Sequence, residues 1–71
     1  MAEKTLAERI GMRLRAAREA RGVSLAAMRD HGFHSGHVLR IEQGQFDVRL
    51  STLCKLAKAL GVKPDSLLNG L

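Results

Sequence analysis

The chain has no tryptophan, no tyrosine and two phenylalanines, Phe33 and Phe46. It therefore lacks the stacked aromatics with which proteins grip single strands and RNA loops, and a duplex is the better-suited polyanion. One cysteine, Cys54, cannot close an internal disulfide. This suits a reducing compartment and leaves the fold to packing alone. The longest apolar run, Leu25 to Met28, falls far short of the roughly 20 residues of a membrane span, and no secretory leader precedes it. A cytoplasmic protein is expected. One proline with 45% apolar residues excludes collagen-like and low-complexity chains. What is present is 71 residues, enough for one domain spanning residues 1–71, which at this size buries about 60% of its unfolded surface. Twelve Lys and Arg against seven Asp and Glu give a formal charge of +5. The excess lies in residues 1–22 and 45–71, while 23–44 is neutral.

Glycines at 11, 22, 32, 36, 44, 61 and 70 mostly follow stretches of helical periodicity. Leu6, Ile10, Leu14 and Ala17 form one stripe of a first helix, with Gly22 placed for a left-handed cap. Ser24 caps a short second helix whose inward positions are Leu25 and Met28 and which ends at Gly32. A third runs from Ser35 to Gln43 with Val38 and Ile41 inward and Gly44 closing it. Leu50, Leu53, Leu56, Ala57 and Leu60 mark a fourth, stopped at Gly61, and Pro64 with Asp65 opens a last turn. No stretch alternates apolar and polar residues as a strand does, so the expected class is all-α, a compact five-helix domain.

The second and third helices have the size and spacing of a helix-turn-helix. By geometry alone that signal is weak. Three strings add specificity: LRAAREARGVS at 14–24, GFHSGHVLRIEQG at 32–44 and LSTLCKLAKALGV at 50–62. Together they resemble the Cro/C1-type (XRE-like) helix-turn-helix family over most of the chain. The resemblance rests on Arg18, on Gly32 opening the turn, on Val38 to Gly44 and on Leu53 to Val62. It implies a lambda-repressor-like fold and a bacterial or phage-encoded, nucleoid-associated transcriptional regulator, a repressor or an activator. Two departures stand out. Leu25 occupies the position where the family usually places a phosphate-reaching glutamine, and the stretch from Ser24 to Gly32 is one residue short.

A helix entering the major groove presents its first turn, and one residue a turn later, to base edges. Here these are Ser35, Gly36, His37 and Arg40. Arg40 can take guanine O6 and N7 bidentately, His37 and Ser35 can bond a base or a phosphate, and Gly36 admits close backbone approach. Because the middle segment is neutral, attraction to phosphate is expected from Ser24, Arg29, His34, Gln43, Gln45, Arg49 and Lys55, with help from helix N-termini. Each of these taken singly is equally a solvated surface group.

In the resembled family the positions of Arg18 and Glu42 form an ion pair joining the first helix to the end of the third. His31, His34 and His37 recur every three residues, but the run straddles a turn and Cys54 lies on another helix, so no metal site is expected. Nor is there a cofactor loop, a paired-carboxylate site or a nucleophile spaced from a base, and no enzyme is expected. A homodimer on a palindromic operator is expected, because one helix covers few base pairs. Phe46, Val48, Leu67, Leu68 and Leu71 are its candidate interface, although Leu67 and Leu68 can equally close the core. Two rivals use the same chain differently: a protein-binding adaptor or antitoxin that meets the transcription machinery or another partner protein, and a basic first helix lying on anionic membrane.

Overall fold

The computed structural model describes residues 4–71; residues 1–3 of the expected domain lie outside the described residues. Helix α1 spans Leu6–Ala20, a 3-10 helix spans Ala26–His31, and α2 (Ser35–Glu42), α3 (Leu50–Leu60) and α4 (Pro64–Leu68) follow. Among the described residues all regular structure is helical. Helix α1 begins where Thr5 and Glu8 cap one another: Glu8 N–H donates to Thr5 Oγ1 at 3.1 Å, and Thr5 N–H donates to Glu8 Oε1 at 2.9 Å. Two amides open at a helix start are thereby satisfied. The bond from the Thr5 backbone favours the ionised carboxylate, which holds Glu8 below the ordinary carboxylate range.

The second element is a 3-10 helix where a short α-helix was expected. Ser24 Oγ accepts the Ala27 N–H at 3.0 Å at one end. At the other, Gly32 N–H reaches Arg29 O at 3.0 Å and Phe33 N–H reaches Met28 O at 3.1 Å. Its six residues close with an i→i+3 bond at Gly32 and an i→i+5 bond at Phe33, the tighter winding common in short connecting pieces. The closure requires φ +85° at Gly32, a left-handed conformation that costs a residue without Cβ little.

Leu14, Met28, Val38, Ile41, Leu53, Leu56, Leu60 and Leu67 are each 3% exposed or less and form one core with Ala57. Two leucines of the expected stripes are outside it: Leu6 is 58% exposed and Leu50 is 70% exposed. Each is the first residue of its helix, where the rod projects past the layer packed against it. Leu67 corrects the expected dimer surface, because at 2% exposure it closes the core beneath α4 and has no area left for a partner. Helices α1 and α2 meet at Gly11, where an added Cβ would overlap the carbonyl oxygens of Ile41 and Glu42. That absence of a side chain sets how closely the C-terminal end of α2 lies against α1.

Candidate nucleic-acid interface

The position of α2 is set by a buried ion pair. Arg18 Nε donates to Glu42 Oε2 at 2.7 Å and Nη2 donates to Oε1 at 3.1 Å, while Nη1 donates to the Val23 carbonyl at 2.8 Å. The side chains are 10% and 2% exposed. Glu42, by hydrogen bonding, raises the Arg18 pKa above the ordinary arginine value. A planar fork gripping both carboxylate oxygens fixes angle as well as distance, so α2 is tied to α1 at its last turn.

Val38 and Ile41 turn α2 toward the core at 0% and 1% exposure. Gly36, Arg40 and Gln43 then share the opposite face, at spacings of four and three. Arg40 is exposed, and Ser35 and Gly36 are half-buried. The space beside Gly36 is partly filled, since a Cβ there would lie 3.3 Å from Cε1 and Nδ1 of His34. His34 stands at the N-cap position, yet its side chain makes no capping bond; its ring lies over the first turn instead. His37 flanks the open face and lies against Phe46, with ring centroids 5.2 Å apart at 35°.

The expected phosphate contacts divide into groups. Ser24 is engaged as the cap of the 3-10 helix, which leaves its O–H proton to donate outward. Gln45 Nε2 donates to Gln43 Oε1 at 2.8 Å, so these amides orient one another. Arg49 precedes α3 and lines a cleft of about 340 Å³ with His37, Phe46, Asp47, Val48 and Thr52. Lys55 is elsewhere: it lines a separate cleft with His31, Gly32, Phe33 and Lys58, and its six-residue spacing from Arg49 puts it on a different face of α3. Arg29 is exposed on the 3-10 helix. The histidines have separate surroundings, and among the described residues no three His, Cys, Asp or Glu side chains are placed to hold a metal ion.

The remaining dimer candidates are also dispersed. Val48 is half-buried against the core, Phe46 at 38% exposure serves the His37 contact, and Leu68 is 37% exposed on α4 with Leu71 half-buried beyond it. Neither the Thr5 cap nor the helix contact at Gly11 had a place in the sequence expectations. Thr5-x-x-Glu8 is a readable capping box, whereas nothing local marks Gly11 as a contact between helices.

A short helix, a glycine turn, and a second helix that keeps one face outward while the other enters the core define a helix-turn-helix protein. The chain belongs to the helix-turn-helix domain family, whose sequence profile matches residues 9–69. Among solved structures it is similar to the restriction-modification controller protein C.AhdI from Aeromonas hydrophila, at 35% identity and a TM-score of 0.79 over 86% of this chain and 94% of that one. It is also similar to the clp gene regulator ClgR from C. glutamicum, at 28% identity and a TM-score of 0.87 over 93% of this chain and 87% of that one. No curated protein sequence matches the chain. No helix among the described residues is long and apolar enough to cross a membrane.

Proposed function

We propose that this protein is a sequence-specific, non-enzymatic transcriptional regulator of the cytoplasm that seats α2 in the major groove of duplex DNA. The observation that carries this reading is the outward face of Gly36, Arg40 and Gln43 on a helix locked from behind by the buried Arg18–Glu42 fork. Arg40 reads guanine, and Ser35 and His37 bond base edges or the adjoining phosphates. Ser24, Arg29, His34, Gln43, Gln45 and Arg49 hold the flanking backbone, with Lys55 reaching it from the far side of α3. A charge of +5 supplies the long-range attraction. Similarity to a controller protein and a gene regulator supports regulation as the role.

Two copies on a palindrome with half-sites about 34–36 Å apart give the affinity that one short helix lacks. Leu68 and Leu71, at the C-terminal end, are the apolar residues offered for pairing. Selection of bound sites from a random duplex pool, followed by binding at several salt concentrations, tests the reading. Recovered inverted repeats and a steep loss of affinity with salt support it. Equal binding to shuffled DNA, or none, refutes it.

A further inference from the structure

The face that α2 turns outward is not uniformly polar. Leu39 lies three residues after Gly36 and directly before Arg40, on the edge of the Gly36–Arg40–Gln43 stripe, and is 39% exposed. Beside it a shallow cleft of about 150 Å³ is lined by Leu25 and Leu39, with Arg15 and Gln43 at its border and the Arg18–Glu42 pair behind. Leu25 stands where the resembled family usually carries a polar glutamine. Two leucines thus line one cleft beside the outward stripe of α2.

We infer that Leu39, backed by Leu25, reads the C5-methyl group of a thymine in the major groove; the inference rests on the DNA-binding reading above. The methyl is the apolar mark that separates a T·A pair from the others on the groove edge, and an apolar side chain recognises it by excluding water from both. Its neighbours favour this occupant. Arg40, one residue on and about 100° round the helix, is exposed on the neighbouring stripe, and Arg15 lines the cleft. Arg15 is bonded to Glu19 at 3.1 Å through Nε, which leaves its terminal nitrogens to face a phosphate. Glu42, which also lines the cleft, is paired with Arg18, and Arg15 beside the leucines suits the patch to the phosphate-walled groove of a duplex.

The test replaces each thymine of the selected operator, one symmetric pair at a time, by deoxyuridine, which still pairs with adenine and differs only in the missing methyl. Losing one buried methyl is worth about 0.8 kcal/mol, or roughly a fourfold weaker Kd per half-site. The unaltered protein is expected to show this loss at one symmetric position. Leu39→Ala should abolish the difference there while keeping the guanine preference that belongs to Arg40, and Leu25→Gln should shrink it. Melting curves identify any variant that fails to fold, and Leu39→Ser provides a second truncation of the contact.

Deoxyuridine tolerated at every position overturns the inference, as does a thymine preference that survives Leu39→Ala. So does a Leu39→Ala variant that keeps its full operator affinity and base preferences but loses a partner protein. If no duplex is preferred at all, the functional reading itself has failed, which is a separate result.

Discussion

Replacing Glu42 by alanine leaves the Arg18 guanidinium in place with one hydrogen bond, to the Val23 carbonyl, where it had three. The residue is 8% exposed, so water cannot easily replace the lost carboxylate. Stranding one partner of a buried pair costs about 3–5 kcal/mol. A domain of 71 residues has, at roughly 0.05–0.15 kcal/mol per residue, only about 4–11 kcal/mol in total. The substitution therefore removes about a quarter or more of the stability and lowers Tm by at least about 12 °C, given roughly 4–8 °C per kcal/mol at this size.

Thermal and urea unfolding followed by circular dichroism measure the loss. Arg18→Met combined with Glu42→Leu should recover much of it, because the charge that was stranded is then gone. DNA affinity should fall in Glu42→Ala even under conditions where the chain is folded, since α2 has lost its tie to α1. A destabilisation below about 1 kcal/mol would place the pair in the range of solvent-screened surface bridges and would refute the claim that it anchors the reading helix.

Arg40→Ala should relax preference at one base position by about 1–3 kcal/mol, as read by competition between operators differing at that pair; uniform weakening across all sequences would reassign Arg40 to phosphate. Gly11→Ala forces a methyl against the carbonyls of Ile41 and Glu42 and should destabilise by at least about 1–3 kcal/mol, so an unchanged urea midpoint would contradict the close approach of α1 and α2. Glu8 titrates lower in the folded chain than its ordinary value, so its box with Thr5 stabilises fully above the ordinary carboxylate range and the contribution is lost as pH falls through the lowered value. Glu8→Gln should flatten that part of the Tm-against-pH curve, and parallel curves for the two proteins would count against the cap.

Much of the fold is legible because helices this short announce their inner faces by spacing. Val38 with Ile41, and Leu53 with Leu56, Ala57 and Leu60, are where the apolar period puts them, and the bounds of α2 and α3 follow from glycines at their ends. Periodicity gives the phase of a stripe but not the extent of what packs on it. Leu6 and Leu50 are in phase and still exposed, because each opens a helix that overhangs its neighbours. The 3-10 winding of the second element was likewise hidden: caps at Ser24 and Gly32 are local signals, but they do not distinguish it from a short α-helix.

The candidate site divides in the same way. Residue type and spacing alone name Ser35 and His37 in the leading turn of a helix and Arg40 one turn later, and the charge excess points to a polyanion, since both are properties of the covalent chain. Which way those groups face came only from tertiary packing. The Arg18–Glu42 pair is expected from the family resemblance, and the structure supplies its burial and fork geometry. The Gly11 contact, the ring of Phe46 against His37 and the cleft shared by Leu25 and Leu39 each join residues apart along the chain. Such contacts depend on where three helices cross, and a one-dimensional pattern carries no term for that.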